Sequence, residues 1–167
     1  DRKSSEVDCM DPNEVKKQIL EQRDALTKTR GEILTYFVDI ENLISALLTN
    51  HYAKPEMASD FSHKLLDDPY IPTIAKINAL EKTELMTGYE GLGQDLRRLN
   101  NLRNLIAHST QFGWHGHIID SKTGAPVKVD EKIAEFNTIY QRADAVLMKI
   151  FDSNVAKWRQ EQSKTSS

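Results

Sequence analysis

Residues 33 to 48 read ILTYFVDIENLISALL, and this stretch decides the class of fold. Its apolar residues recur at alternating spacings of four and three, and they are Ile33, Phe37, Ile40, Ile44 and Leu47. This spacing predicts an amphipathic helix that lies along a hydrophobic core. Because Asp39, Glu41 and Asn42 interrupt the stretch, it is too polar to cross a membrane.

This helix is predicted to begin far upstream of its apolar stretch. Asp11 offers an N-cap with Pro12 at the first helical position, and the next proline along the chain is Pro55. One long helix, or two nearly collinear helices that kink at Gly31, is therefore expected between these prolines. Residues 1 to 10 are mostly polar, and we expect them to form a flexible leader.

Four more helices are predicted along the rest of the chain. The first spans residues 57 to 66, and the second spans residues 72 to about 86. The apolar side of the second helix consists of Ile74, Ile77, Leu80 and Met86. The third helix ends at His108 and has a clear apolar stripe. That stripe consists of Leu92, Leu96, Leu99, Leu102 and Ile106.

The last predicted helix begins with Asp130 as its N-cap and ends near residue 159. Its inward positions are Ile133, Phe136, Ile139 or Tyr140, Ala143, Leu147 and Ile150 or Phe151. Between residues 112 and 129 the pattern changes to short alternations around a glycine-containing turn, which is typical of a small β-hairpin inserted between helices. The predicted fold is an all-α, up-and-down bundle over residues 11 to 160, followed by a flexible tail at residues 161 to 167.

Composition narrows the classes of function. The chain has 167 residues, a net charge of −3 and one cysteine, Cys9, so an internal disulfide is excluded and a reducing, cytoplasmic setting is expected. Acids and bases are intermixed, which argues against a broad phosphate-binding surface. Any contact with nucleic acid is therefore expected to be local.

The strongest local signal is a group of polar residues in the leucine-rich third helix: Arg103, Asn104 and His108. Asn104 and His108 are one turn apart and share a face. Arg103 and His108 are offset by roughly 140° around the helix axis. The two can flank one cleft only if His108 lies at a frayed helix end.

The segment LRNLIAHS at residues 102 to 109 resembles the Arg-x4-6-His motif of HEPN domains, in which an Arg-Asn pair precedes a histidine near a helix end. The order of helices over residues 14 to 160 is similar as well. This resemblance implies a homodimer whose motif-bearing helices face each other across a cleft, commonly a metal-independent endoribonuclease site. It also implies a toxin or defence setting, with RNA as substrate and an antitoxin or a larger assembly as a further partner.

The resemblance also implies a role for each motif residue. His108 would act as general base or acid on the ribose 2′-hydroxyl or the leaving oxygen, because an imidazole can both accept and donate a proton. Arg103 would stabilise charge on the phosphoryl group, and Asn104 would orient Arg103, His108 or the substrate. The expected product is a 2′,3′-cyclic phosphate, and neither a metal nor a cofactor is required.

Other residues are candidates for supporting roles. Asp39 or Glu41 would orient Arg103 or His108, and Glu41 is the preferred one of the two. They are two residues apart on a helix, so at most one faces the cleft, and exposure on the outer face is the alternative.

A candidate substrate rim consists of Arg97, Arg98 and Trp114. The two arginines could equally form a solvated face, and Trp114 could equally be a packing anchor. His115 and His117 suggest a metal site, but nothing completes it, and an exposed hairpin is favoured.

Two other functions remain open. In one, His108 caps its own helix and Arg103 pairs with Asp39 or Glu41, so that the chain is a catalytically silent dimerisation or interaction domain of a larger assembly. In the other, the chain is a nucleotide-binding accessory of a nucleotidyltransferase, which binds mononucleotides without cleaving RNA.

Overall fold

A computed structural model describes residues 11–67, 71–109, 112–113, 117–120 and 122–165. The helices are α1 (Pro12–Tyr52), α2 (Ala58–Phe61), α3 (Thr73–Glu81), α4 (Leu92–His108) and α5 (Val129–Thr165). The strands are β1 (Phe112–Gly113), β2 (His117–Ile119) and β3 (Pro126–Lys128). Shorter helical turns are a 3₁₀ turn at Pro55–Met57, a π-helical turn at Ser62–Leu66 and a 3₁₀ turn at Glu84–Met86. The predicted all-α bundle with a small β insertion is confirmed.

Helix α1 is one uninterrupted helix rather than two. Asp11 is its N-cap, as predicted, because the Asp11 carboxylate accepts a hydrogen bond of 2.9 Å from the backbone N–H of Asn13. Gly31 is exposed and the helix continues through it. None of the described helices has both the length and the apolar character that a membrane span needs.

The core lies between α1, α3, α4 and α5. All five predicted core residues of α1 and all five of α4 are buried, which confirms both apolar stripes. The inward stripe of α5 is confirmed in the same way by Phe136, Ile139, Ala143, Leu147 and Ile150. Burial of these aliphatic and aromatic side chains is the main force that holds the bundle together.

Three predicted details are wrong. Helix α3 ends at Glu81 and not near Met86, because the backbone of Thr83 is extended and its hydroxyl donates to the Leu80 carbonyl. Ile74 on α3 is 37% exposed and does not join the core. Helix α5 begins one residue before Asp130, which lies in its first turn, where an acid is favoured by the helix dipole.

Helix α5 extends to Thr165, so the helix continues into the segment predicted to be a tail. The predicted leader, Ser166 and Ser167 lie outside the described residues.

The predicted hairpin is present as β2 and β3, and β1 extends it to a three-stranded antiparallel sheet in the order β1-β2-β3. Gly124 in the β2–β3 turn has a φ of +68°, which favours glycine. Ile118 of β2 is fully buried in a small cluster with Leu26 of α1 and Val129 of α5. This cluster fixes the sheet beside the C-terminal end of α4.

Candidate functional site

The C-terminal half of α4 forms one wall of an open groove. Asn101, Asn104 and His108 line this wall, and Asp120 and Lys122 of the β2–β3 turn line the other side. The groove has a volume of about 550 Å³. His108 is the last residue of α4 and is exposed, while Asn104 is half-buried one turn earlier. The structure therefore brings two of the three motif residues into one groove.

Arg103 points elsewhere. Its guanidinium carbon lies 4.6 Å from the centroid of the Phe37 ring on α1, and its Nη2 donates to Asn100 Oδ1 over 3.3 Å. Its Nε is buried and has no hydrogen-bond partner among the described residues. Because α4 stays helical through His108, Arg103 and His108 keep their angular offset and lie on different sides of the helix. No acid among the described residues pairs with Arg103.

The two candidate rim arginines are both engaged by acids. Arg97 donates to Glu81 and, over 2.7 Å, to Asn78 Oδ1, and the hydrogen bond with Glu81 raises the pKa of Arg97. Arg98 lines the groove, but its Nε donates to Glu135 Oε1 over 2.6 Å. Arg103 is thus the arginine of α4 that carries no acid partner within the described residues. Trp114 lies outside them.

The two candidate supporting acids lie away from His108. Glu41 accepts a hydrogen bond of 2.6 Å from Thr73 Oγ1 on α3, and its carboxylate is 3.9 Å from Lys76 Nζ. Arg30 of α1 contacts the end of α4, and Glu41 lies three turns further along α1, roughly 16 Å away at 1.5 Å per residue. Glu41 therefore does not reach His108 within one chain.

Asp39 is exposed on the side of α1 that faces α5. Burial raises the pKa of Tyr140 on α5, and the charges of Asp144 and Asp39 raise it further. The charge of Asp39 is therefore felt by Tyr140 on α5, and the structure does not bring Asp39 to the α4 groove.

Arg30 is a residue at this site that sequence reasoning missed. Its Nε donates to the Ile106 carbonyl over 3.0 Å, and its Nη2 donates to the carbonyl of Ser109 and, over 3.1 Å, to the Ser109 hydroxyl. A cation at the C-terminal carbonyls of a helix stabilises it by about 0.3 to 1 kcal/mol, and by up to about 2 when partly buried. Nothing in the sequence around Arg30 indicates which distant carbonyls it meets.

Lys122 is a second residue that was missed, although the turn that carries it was predicted. Asp120 Oδ1 accepts a hydrogen bond of 2.8 Å from the backbone N–H of Lys122, and the Asp120 carbonyl accepts one of 2.7 Å from Gly124. These bonds fix the turn at the groove. The Lys122 side chain is exposed, and no acid in the described part of the chain forms an ion pair with it.

Two exposed apolar residues of α1 lie close in sequence to Phe37, the residue on which Arg103 packs. Leu34 and Val38, one turn apart on α1, are 41% and 50% exposed and flank Phe37. They lie opposite the side of α1 that contacts α5, where Tyr36 stacks on Tyr140 with ring centroids 5.0 Å apart. We call Leu34, Val38 and the neighbouring Arg103 the motif face.

The sequence suggests two histidines, His115 and His117, as metal ligands. His115 lies outside the described residues. His117 is on β2 and is half-buried. Among the described residues, no group of three or more His, Cys, Asp or Glu side chains is placed to hold a metal ion.

The chain matches no protein-family model, no curated protein and no solved structure. The resemblance to HEPN domains therefore rests on the motif and on the order of the helices.

Proposed function

We propose that the chain is a HEPN-type domain that binds RNA and, as a homodimer, cleaves it without a metal ion. The observation that carries this proposal is the exposed imidazole of His108 beside Asn104, in a groove whose other side presents the exposed amine of Lys122. An imidazole side chain can accept a proton when neutral and donate one when protonated. A lysine amine attracts a phosphate.

The proposed chemistry needs a base, an acid and a cation. A neutral His108 takes the proton from the ribose 2′-hydroxyl, and the 2′-oxygen attacks the adjacent phosphorus. The bond between phosphorus and the 5′-oxygen breaks, and that oxygen receives a proton from the His108 imidazole, which the first step has protonated. The products are a 2′,3′-cyclic phosphate and a 5′-hydroxyl. Arg103 stabilises the charge that develops on the phosphoryl oxygens.

One chain does not hold Arg103 and His108 on the same side of α4, so the proposal requires a second copy. The motif face supports this requirement. Leu34 and Val38 are exposed aliphatic side chains beside the motif, and their burial between two copies is favourable. In a two-fold dimer of this kind, Arg103 of one copy lies at the groove of the other. Its charge, unpaired among the described residues, is available for that role.

The decisive experiment uses the purified protein with a mixed RNA pool in excess EDTA. The unaltered chain should produce cyclic-phosphate ends, and His108→Ala should not. His63→Ala is the matched control, because His63 is an exposed histidine that pairs with Asp67 and does not line the α4 groove. Cleavage that is lost in His108→Ala and kept in His63→Ala supports the proposal. A folded dimer that cleaves no RNA contradicts it.

The dimer has its own test by sedimentation. Val38→Glu places a charge on the motif face and should yield monomers that no longer cleave RNA. Met57→Glu is the control, because Met57 is equally exposed, at 54%, but lies in the turn after α1. An unchanged dimer in Val38→Glu would show that the motif face is not the contact between copies.

A second candidate function is a catalytically silent dimerisation domain. The separation of Arg103 and His108 around α4 favours it, because one chain does not bring these two side chains together. In that case the His108→Ala variant dimerises as the unaltered chain does, and neither protein cleaves RNA. A role in a toxin or defence system is implied by the resemblance alone, and growth arrest on expression that requires His108 would support it.

A further inference from the structure

We infer that Arg30 is a positioning residue that fixes the place of His108 at the end of α4. The kinetic part of this inference rests on the proposed function, whereas the structural part does not. Arg30 and His108 are far apart in sequence and belong to different helices. They are linked because Arg30 binds the backbone on both sides of His108.

The contacts form a closed network around the last turn of α4. Arg30 Nε donates to the Ile106 carbonyl over 3.0 Å, two residues before His108. Arg30 Nη2 donates to the carbonyl of Ser109, one residue after His108, and to the Ser109 hydroxyl over 3.1 Å. The same hydroxyl donates to the Ile106 carbonyl over 3.1 Å, which closes the network. Ser109 is buried, with 3% of its surface exposed.

Helix α4 needs such a partner because it ends without a glycine cap. Ser109 has a φ of −69° and a ψ of 110°, so the chain leaves the helix in an extended conformation directly after His108. The last carbonyls of a helix have no intrahelical N–H partner, and they require another donor or water. Arg30 supplies this donor, and its charge is favourable at the negative end of the helix dipole.

Arg30 is itself held in place by the core. It lies on α1 between Leu26 and Ile33, which are both buried, at 6% and 2% exposed. The guanidinium therefore links the end of α4 to a part of α1 that is packed against buried residues. His108 is exposed and makes no hydrogen bond with a described residue, so the backbone on either side sets the direction of its side chain.

Loss of the Arg30 hydrogen bonds should lower the rate of RNA cleavage more than it weakens RNA binding. A misplacement of about 1 Å in a reacting group can lower a rate by about 100-fold. We expect Arg30→Gln to lower kcat for an oligoribonucleotide by at least about 10-fold and to change KM by less than about two-fold. Arg30→Lys keeps one charged donor and should recover part of kcat.

Arg23→Gln is the matched control, because Arg23 is an exposed arginine on the same helix and its loss changes the net charge equally. Ser109→Ala is a second test that leaves α1 unchanged. It removes the hydroxyl that links Arg30 to Ile106 and should lower kcat by about three-fold. Thermal unfolding of every variant separates a global loss of stability from the local effect. A kcat in Arg30→Gln within two-fold of that in Arg23→Gln overturns the inference.

A measurement without RNA distinguishes this inference from the proposed function. In NMR spectra, Arg30→Gln should speed amide hydrogen exchange in the last turn of α4 and broaden or shift the imidazole Hε1 signal of His108. Arg23→Gln should change neither. If the unaltered protein cleaves no RNA, the proposed function fails, and the NMR result still decides whether Arg30 positions His108. Unchanged exchange and an unchanged His108 signal in Arg30→Gln overturn the inference.

Discussion

The guanidinium of Arg103 lies over the ring of Phe37, 4.6 Å from its centroid, at a half-buried position where no described acid neutralises its charge. The cation–π contact contributes about 0.5 to 2 kcal/mol. This gain is opposed by the buried Nε, which has no hydrogen-bond partner in the described part of the chain, at a cost of about 1 to 3 kcal/mol. The two effects are of similar size, so Arg103 contributes little net stability. A residue of this kind is expected where function, and not folding, determines the side chain.

Arg103→Met should therefore leave stability almost unchanged while abolishing RNA cleavage. Methionine keeps an apolar contact with Phe37 and removes the buried donor, so we expect a change in the free energy of unfolding of less than about 1 kcal/mol, in either direction. Urea unfolding measures it. Arg97→Met is the control, and it should be destabilising because Arg97 is paired with Glu81 and Asn78. A larger loss of stability in Arg103→Met than in Arg97→Met would show that Arg103 is structural.

Glu41 should behave as a structural residue. Glu41→Gln keeps an acceptor for Thr73 but removes the charge that faces Lys76, whose side chain is only 10% exposed. We expect a loss of about 1 to 3 kcal/mol in the free energy of unfolding, because a buried ammonium is left without its partner. Thermal and urea unfolding measure this loss. Asp39→Asn, at an exposed position, should change stability by less than about 0.5 kcal/mol. If Glu41→Gln lowers RNA cleavage without a loss of stability, Glu41 takes part in the functional site and is not only structural.

Much of the fold was predictable because the apolar spacing is regular. The stripes of α1, α4 and α5 each match one face of a helix, and burial of that face outweighs local preferences. The end of α3 was not predictable in this way, because it depends on one hydroxyl–carbonyl bond at Thr83. Strand β1 was missed because two residues carry no detectable alternation.

The site was predictable only in part. The helical offset between Arg103 and His108 follows from the sequence, and the structure keeps it. The partners of these residues do not follow from the sequence. Arg30 donates to the Ile106 carbonyl because of the way α1 packs against α4. Lys122 lines the groove because of the way the sheet packs against the same helix. A polar residue in a helix or turn gives no local signal of a contact at long sequence separation.

Lys122 should strengthen the binding of single-stranded RNA. Lys122→Ala removes one exposed cation at the groove, and we expect the Kd to rise about three- to ten-fold at low salt. The slope of log Kd against log salt should fall by about 0.7, the value for one phosphate contact with a single strand. Fluorescence anisotropy with a labelled oligoribonucleotide measures both. Lys128→Ala is the control, because Lys128 lies on the same hairpin but pairs with Glu131 over 3.0 Å. Equal effects of the two substitutions would show that the contribution of Lys122 is not specific.

Glu135 should make stability depend on pH. Partial burial alone raises the pKa of Glu135, but hydrogen bonds from Lys132 and Arg98 outweigh it and lower that pKa below its ordinary value. The unfolded chain then binds the proton more readily than the folded chain does. Stability from this carboxylate is therefore present above the ordinary pKa and is lost as the pH falls through the lowered one.

Glu135→Gln removes this contribution. The unaltered chain should be more stable than Glu135→Gln by about 0.5 to 1 kcal/mol at pH 7, as expected for a partly exposed ion pair. The difference should shrink as the pH falls below the ordinary pKa of glutamate and through the lowered pKa of Glu135, because the carboxyl then becomes neutral in the unaltered chain as well. Urea unfolding over this pH range measures it. Glu131→Gln is the control, since the Glu131 side chain is 66% exposed. A difference between the unaltered chain and Glu135→Gln that stays constant with pH would show that the ion pairs of Glu135 do not stabilise the fold.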